Sequence, residues 1–403
     1  MSTQSSIKFS PLPLMLAIVA CVFSVDIYIP SMPMMAEAFG SSQEMMQFSI
    51  SAGMIGTSIA TPIIGPLSDA IGRRKILLYS QILYMLGCLA TIFAINIETF
   101  IFCRFLQGIG GAAAFAVSFA TVTDLYQGTR AAIYLSYLTT TITLSLVVAP
   151  LFGGAFAAYL PWQAAFVFLT TLAALSSLIL YRSFPETLQQ SAPFSICKTL
   201  GSYWSMMSHL RFMVMATIPS LLIGGIVVFM ATGAFYFINE LGVPTALYGT
   251  FQGIIMLCNT MASYLSAHLI QRFGLNKSTL LGVTLFSIGS LSFLSATLWI
   301  PEQTIAIIIT VSLYAAGLGL TFNTMTAQSI ELFRHKAGTV SSAISFMRGL
   351  IIAGCISLGS QVYNATLWPI ALFLTSITAI CVTLYYLTER RSPLQKSSEV
   401  LTG

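Results

Sequence analysis

The sequence has very few charged residues for its length. Asp, Glu, Lys and Arg together make up 7% of the 403 residues, whereas hydrophobic residues make up 56%. An ordinary soluble domain has about 25% charged residues, so a soluble fold of this length would lack polar surface. We therefore expect lipid to be the solvent for most of the chain. The net charge of +5 does not indicate nucleic-acid binding, because the basic residues are scattered over short segments.

Patterns for metal, nucleotide and enzyme chemistry are also missing from the sequence. It has three His, and its seven Cys form no C-x-x-C pair, so the thiols are interpreted as packing residues. A membrane-embedded enzyme would need clustered acids or histidines, but Asp26 is the only carboxylate well inside an apolar run. No G-x-x-x-x-G-K-[ST] pattern occurs, which excludes ATP as the energy source. We predict no metal and no cofactor.

Twelve apolar runs of about 20 residues divide the sequence, and this is the length that an α-helix needs to cross a bilayer. They lie at 12–36, 45–66, 76–95, 98–121, 131–158, 161–182, 212–238, 246–270, 278–299, 303–326, 338–362 and 367–388. The sequence therefore predicts an all-α integral membrane protein with twelve transmembrane helices. We predict two six-helix bundles, 1–185 and 212–403, joined by a cytoplasmic linker at 186–211 with an amphipathic stretch.

The basic residues give the predicted orientation. If the N-terminus is cytoplasmic, all of the 17 Lys and Arg residues except Arg104 and Arg348 fall on the inner side, and the outer loops carry only acidic charges. Basic residues favour the cytoplasmic side of a membrane. We therefore predict cytoplasmic termini, and a first span that is retained because no convincing signal-peptide cleavage site follows it.

A charged segment, 65–75, separates the second and third spans. Its glycines are predicted to permit a tight turn and close backbone approach, and its Asp can accept hydrogen bonds from Arg or cap a helix. A plain basic loop that only sets topology is the alternative. The residues predicted to matter are Gly65, Asp69, Gly72, Arg73 and Arg74.

Two ionisable residues lie inside spans of the first bundle. Burial favours the neutral form of Asp26 and a nearby cation favours its charged form, so this carboxyl could load and release a proton. A structural Asp bonded to backbone amides near Pro30 is the alternative. Burying the Arg104 guanidinium costs several kcal/mol unless it is paired or reaches water. Snorkelling to the outer surface is the alternative for Arg104.

Polar and aromatic residues within the spans are candidate walls of a substrate cavity. Arg348 lies about ten residues into the eleventh span, where it either attracts anionic substrates or snorkels, and the sequence leaves both readings open. The fifth span carries small residues that favour tight helix packing around a bend at Pro150. The cavity candidates are Tyr28, Gln107, Tyr236, Asn239, Gln252, Asn259, Asn323 and Arg348, and the fifth-span residues are Ala149, Pro150, Gly153 and Gly154.

Four motifs together resemble one transporter group. The segment 65–75 reads G-x-L-S-D-x-x-G-R-R-K, Arg104 begins R-x-x-Q-G-x-G-G-A, Asp26 begins D-x-Y-x-P-x-x-P, and 149–154 reads A-P-x-x-G-G. The chain is similar to the Bcr/CflA-type (bicyclomycin and multidrug resistance) drug:proton antiporters of the major facilitator superfamily. In the fifth span Ser145 and Ala149 replace two glycines of the antiporter motif, which leaves the direction of transport less defined.

The resemblance implies two six-helix halves around a central cavity, with 65–75 latching the outward-facing state and Arg104 linked to proton movement. We expect proton-coupled export of small amphipathic compounds by alternating access, from a bacterial inner membrane, driven by the proton motive force. Its partners are then a small-molecule substrate, protons and the lipid bilayer, with no nucleic acid, and family likeness implies a monomer. The alternative is a dedicated carrier of one metabolite, such as a siderophore, sugar or amino acid, including an importer.

Overall fold

A computed structural model describes residues 10–188, 196–333 and 337–390. These segments are helical and contain no β-strand. The helices are α1 (Leu12–Asp26), α2 (Met32–Phe39), α3 (Gln43–Ile71), α4 (Arg73–Ile92), α5 (Ile97–Leu125), α6 (Gly128–Tyr159), α7 (Gln163–Ser183), α8 (Ile196–Met207), α9 (Leu210–Phe235), α10 (Thr245–Trp299), α11 (Thr304–Leu332), α12 (Ala337–Val362) and α13 (Trp368–Arg390). A 3₁₀ turn at Ile29–Ser31 joins α1 to α2, and a π turn at Tyr236–Glu240 follows α9.

Within the described residues, eleven helical segments are long and apolar enough to cross a membrane. One of them, α10, is 55 residues long, which at 1.5 Å per residue is roughly 80 Å and more than twice a bilayer core. It is broken at Gly274, whose φ of 79° and ψ of 168° are not helical. The two parts of α10 are therefore separate spans, and the predicted all-helical membrane protein with twelve spans is confirmed.

The segment between the second and third spans differs from its prediction. Helix α3 continues through Pro62 and Pro66 to Ile71, and α4 begins at Arg73, so Gly72 alone separates them. Gly65 lies inside α3, and apart from the neighbouring turns of that helix no heavy atom lies within 4 Å of a methyl group placed on it. The prediction that Gly65 permits the turn or a close approach is therefore wrong. Gly72 makes the turn, with a φ of 117° that favours glycine.

The chain divides into two compact units. The first unit runs to Leu200 and also includes Met230–Ile254, and the second contains Gly201–Phe229 and the chain from Ile255 onward. Gly249 belongs to the first unit because its backbone packs directly on α6. The division into bundles at 1–185 and 212–403, with 186–211 as linker, stays a prediction.

In the first unit, α5 packs against α3 and α4, and α1 packs against α6 and α7. Two glycines of α5 bring its backbone into contact with the backbones of α3 and α4. A methyl group on Gly108 would overlap the carbonyl oxygen of Gly53, and one on Gly110 would overlap the backbone of Tyr84. This close packing places the side chains of Arg104 and Gln107 in the interior of the unit.

Helix α8 forms where the amphipathic stretch was predicted. Tyr203 and Met206 are buried in a cluster with Phe212 and Val340 of the second unit, whereas Trp204 is exposed. One face of α8 therefore packs on protein and the other does not. A position along the inner membrane face suits this pattern and stays a prediction.

Candidate functional site

The first span is interrupted beside Asp26. Helix α1 ends at Asp26, the 3₁₀ turn follows at Ile29–Ser31, and α2 begins at Met32. Pro30 and Pro33 explain the interruption, because a proline has no N–H to continue the helical hydrogen-bond ladder. The last carbonyl groups of α1 consequently lose their intrahelical partners.

The carboxyl group of Asp26 lies at this break, and no described residue is its polar partner. The residue is 6% exposed, and its side chain makes no hydrogen bond or ion pair with any residue that the structure describes. The alternative of a structural bond to backbone amides near Pro30 is therefore not found there. An isolated charge in an apolar interior is costly, so the surroundings of Asp26 strongly affect whether it holds a proton.

Arg104 is buried against the end of α1. Its side chain is held inside the first unit, where Nη2 donates a hydrogen bond of 2.9 Å to the carbonyl oxygen of Ser24. Nη1 donates to Oε1 of Gln107, and the guanidinium carbon lies 4.5 Å from the centre of the Tyr28 ring. A cation at a helix C-terminus is electrostatically favourable. Arg104 therefore caps α1 two residues before Asp26, and snorkelling is not observed.

No ion pair joins Arg104 to Asp26 in this structure, since the guanidinium is bonded to Ser24 and Gln107 instead. The two groups are linked through the backbone at the end of α1. A change in the charge of Asp26 would act on the same helix terminus that Arg104 caps. This arrangement allows proton binding to be coupled to the position of α1.

A second layer of contacts holds this arrangement in place. Gln107 donates from Nε2 to the sulfur of Cys88 at 2.8 Å, while its oxygen accepts from Arg104. The hydroxyl groups of Tyr28 and Ser49 are hydrogen-bonded at 3.0 Å, and Tyr28 is fully buried. These roles of Cys88 and Ser49 were not predicted from the sequence, because neither residue belongs to one of the motifs described above.

The fifth-span motif packs against the same break. Pro150 lies inside α6, Ala149 is fully buried, and a methyl group on Gly153 would overlap the carbonyl oxygen of Ile27. A methyl group on Gly154 would lie 2.9 Å from the Cα atom of Gly249, the first glycine of α10. The motif residues thus make backbone contact on one side with the residue that follows Asp26 and on the other with α10.

The charged residues around Gly72 form a compact network. Arg73 pairs through Nη1 with Oδ1 of Asp69 at 2.5 Å and through Nε with Oδ2 of Asp124 at 3.1 Å. Arg74 donates from Nη2 to the carbonyl oxygen of Tyr181 at 2.6 Å. Asp124, at the end of α5, was not among the predicted residues. Its position as the only acid near the end of its span was the signal available in the sequence.

Glu186, three residues after the end of α7, completes the network. Its carboxylate accepts hydrogen bonds from the backbone N–H groups of Arg73 at 2.9 Å and Arg74 at 3.3 Å. These N–H groups are the first of α4 and have no intrahelical acceptor. A methyl group on Gly72 would overlap the Glu186 carboxylate. Glu186 therefore caps α4, a part that the sequence analysis did not assign to it.

The predicted cavity residues of the first unit lie in different surroundings. Tyr28 and Gln107 are buried in the Arg104 cluster, as described above. Gln252 is buried and donates to the carbonyl oxygen of Met230 and to the hydroxyl of Tyr248, both at 3.3 Å. Tyr236 is buried, whereas Asn239 is exposed and lines a cavity of about 690 Å³.

In the second unit, two predicted cavity residues brace helices. Nδ2 of Asn259 donates to the carbonyl oxygen of Ala315 at 2.9 Å, and Nδ2 of Asn323 donates to that of Ser263 at 2.9 Å. These amides link α10 to α11. Arg348 makes a ring contact instead, since its guanidinium carbon lies 4.7 Å from the centre of the Phe322 ring.

Within the described residues no group of three or more metal-ligating side chains is found.

Comparison with known proteins identifies the family. Residues 14–356 match the sequence profile of the Major Facilitator Superfamily. The chloramphenicol resistance protein CraA of Acinetobacter baumannii is 25% identical over 394 residues, which cover 97% of this chain and 95% of that protein. A bicyclomycin resistance protein homolog of Haemophilus influenzae is 25% identical over 384 residues, which cover 92% and 93% of the two chains.

Solved structures agree on the fold. The Escherichia coli xylose transporter XylE, in a partially occluded inward-open conformation, superposes with a TM-score of 0.74 at 15% identity, over 95% of this chain and 98% of that chain. At this identity the likeness concerns the fold alone. Together with the profile match over most of the sequence, it establishes that the chain is a multi-pass membrane protein of the Major Facilitator Superfamily.

Proposed function

We propose that the protein exports small amphipathic compounds in exchange for protons by alternating access. The observation that carries this proposal is the buried Asp26 carboxyl, which has no polar partner among the described residues and follows the Arg104-capped end of α1. The similar chloramphenicol and bicyclomycin resistance proteins support antibiotics or related compounds as substrates. The proton motive force supplies the energy without a cofactor.

The proposed coupling rests on two protonation states of Asp26. When charged, the carboxylate favours a conformation in which water or a cation reaches it; when neutral, it favours burial in the apolar surroundings. A proton shifts the conformational equilibrium only because its affinity differs between the two states. The Gly153 contact with Ile27 transmits a movement of this break to α6, since no side chain separates the two backbones.

The network around Gly72 is proposed as the conformational latch at the cytoplasmic face. Within the first unit, the Arg73 side chain is held by Asp69 and Asp124, and the backbone N–H groups of Arg73 and Arg74, which follow the turn at Gly72, are held by Glu186. This fixed geometry suits a surface that engages and releases a partner segment in each transport cycle. The proposed setting is a bacterial inner membrane, with both termini cytoplasmic and the protein acting as a monomer.

The test is efflux of ethidium from pump-deficient cells that express the wild type or the Asp26→Asn variant, with and without a protonophore. Asn has nearly the same shape as Asp but cannot exchange a proton, so we expect efflux to be lost in this variant. Collapse of the proton gradient is expected to stop efflux by the wild type. Glu98→Gln is the matched control, because Glu98 is an acid in the first turn of α5, remote in sequence from the break.

Proton-coupled export is refuted if Asp26→Asn, expressed at the wild-type level, retains efflux that still depends on the gradient. Ethidium efflux that is insensitive to a protonophore would also contradict the proposal. A dedicated carrier of one metabolite is the second candidate, and the observation that favours it is Arg348, a cation at membrane depth. A well-expressed wild type that moves no drug would support that candidate.

A further inference from the structure

We propose that Arg348 binds an anionic group of the transported compound, so that the preferred substrates are amphipathic molecules that carry a carboxylate or a similar anion. This inference rests on the proposed transport function and names its substrate class. It depends on the depth of Arg348 in its helix, on the lack of a counter-ion among the described residues, and on the hydrogen-bonding capacity that those residues leave unused.

The depth of Arg348 excludes a simple surface anchor. Helix α12 is 26 residues long, which corresponds to about 39 Å and exceeds the roughly 30 Å hydrocarbon core of a bilayer. Arg348 lies about three turns from the start of α12 and about four turns from its end. A guanidinium near the middle of a span faces either the protein interior or a water-filled cavity. The ring of Phe322 under the guanidinium carbon indicates that it faces α11.

The second unit offers no acidic partner at this depth. From Leu241 to Thr388 the sequence has only two acidic residues, Glu302 and Glu331. Glu302 precedes α11, and Glu331 is the last residue but one of that helix. Glu331 lies nine positions after Phe322, about 13 Å along the helix axis at 1.5 Å per residue. Neither carboxylate is therefore positioned as the counter-ion of Arg348.

The guanidinium retains unused hydrogen-bonding capacity. Arg348 makes no hydrogen bond or ion pair with any described residue, and its Nε atom is buried without an acceptor. The contact with Phe322 stabilises the cation through the ring quadrupole but supplies no hydrogen-bond acceptor. A planar guanidinium matches a carboxylate through two parallel hydrogen bonds. An anionic substrate group would supply both the missing charge and the missing acceptors.

Arg104 and Arg348 differ in the hydrogen-bond acceptors that surround them. Arg104 is also buried in a span, and its Nε atom likewise has no acceptor among the described residues. Its two terminal nitrogens, however, donate to Ser24 and Gln107, in addition to its contact with Tyr28. The protein thus supplies acceptors to Arg104 and none among the described residues to Arg348. A structural arginine is expected to resemble Arg104, whereas an arginine that receives a ligand is expected to resemble Arg348.

The test uses a matched pair of compounds, nalidixic acid and its ethyl ester, which differ in the presence of the carboxylate. Binding to the purified full-length protein is measured by calorimetry, and inhibition of ethidium transport is measured in proteoliposomes. We expect the wild type to prefer the acid over the ester by roughly ten-fold or more, the scale of a charge-assisted hydrogen bond. Arg348→Gln is expected to abolish this preference, and Arg348→Lys is expected to retain part of it.

Arg272→Gln is the matched control. Arg272 is also a cation beside an aromatic ring in the second unit, 5.3 Å from the centre of Phe273, but it is exposed. Its removal is expected to leave the preference for the acid unchanged. An equal effect of Arg272→Gln and Arg348→Gln would overturn the proposal, because any loss of positive charge would then suffice.

The outcomes separate this proposal from the proposed function. A wild type that transports ethidium and binds acid and ester equally would overturn the anion site and leave drug export standing. An Arg348→Gln variant that loses affinity for the acid and the ester equally would also overturn it, since that result indicates that Arg348 has only a structural role. A wild type that moves no ethidium but prefers the acid would refute export of cationic drugs such as ethidium and support the anion site.

Discussion

Replacement of Arg104 by Lys tests whether the cap at the end of α1 is needed for transport. The arginine serves two acceptors at once, the carbonyl oxygen of Ser24 and the side-chain oxygen of Gln107. A lysine keeps the charge, but a single ammonium group cannot reproduce the planar two-pronged geometry of a guanidinium. The Arg104→Lys variant is therefore expected to lose one of the two hydrogen bonds while it remains cationic.

The expected loss of transport by Arg104→Lys follows from the loss of one hydrogen bond. One hydrogen bond to a charged group contributes about 1.5–3 kcal/mol, and an acceptor left unsatisfied in an apolar interior adds to the cost. Since about 1.4 kcal/mol corresponds to a factor of ten, the capped conformation of α1 loses ten-fold or more in population relative to uncapped ones. We expect the initial rate of ethidium efflux to fall by at least ten-fold at wild-type expression.

Arg130→Lys is the control for this experiment. Arg130 is exposed in the first turn of α6 and belongs neither to the Arg104 cluster nor to the proposed latch. A lysine keeps the charge at this surface position, so little change in efflux is expected. The explanation given for Arg104 is refuted if Arg104→Lys transports ethidium at the wild-type rate, or if Arg130→Lys is impaired to the same extent.

Three further variants test close contacts, each by efflux and by thermal unfolding of the purified protein. Gly153→Ala is expected to cost about 1–3 kcal/mol by overpacking, because its methyl group would overlap the carbonyl oxygen of Ile27. Gly354→Ala meets open space and should be neutral, so equal effects of the two changes would contradict the contact. Gly72→Ala should lower the free energy of unfolding by about 1–3 kcal/mol, because alanine disfavours the positive φ at this position. Gly65→Ala should not destabilise the protein, since a methyl group there meets open space. A Gly72→Ala variant as stable as the wild type would show that the turn tolerates a side chain. Glu186→Ala removes the cap of α4 and should lower the free energy of unfolding by about 0.5–2 kcal/mol. An unchanged unfolding temperature would refute the capping role of Glu186.

The fold was predictable because the solvent imposes it. A bilayer core requires every backbone polar group to be satisfied within the segment, so apolar runs of sufficient length can only be helices. The predicted spans 246–270 and 278–299 are separate, because the backbone at Gly274 between them is not helical. The second span is predicted to end at position 66, whereas α3 continues through Pro66 to Ile71, because a proline within a membrane helix is tolerated.

The candidate site was predictable only where a rare residue type marked it. Asp26 and Arg104 stood out because an ionisable group at membrane depth is costly. That Arg104 contacts the Ser24 carbonyl and not the Asp26 carboxylate depends on the exact end of α1, which no residue pattern encodes. Asn259 and Asn323 were predicted as cavity walls from their polarity, but polarity does not distinguish a substrate contact from a brace between helices.

The hydrogen bond from Gln107 to the sulfur of Cys88 affects how this transporter can be prepared for spectroscopic labelling. Site-specific probes usually need a background without native thiols, and alanine is a common replacement. At Cys88 an alanine would leave a buried amide without an acceptor, at a cost of about 1–3 kcal/mol, directly behind the guanidinium of Arg104. A serine retains an acceptor there. Alternatively the native thiol can stay, because Cys88 is fully buried and a membrane-impermeant maleimide will not reach it.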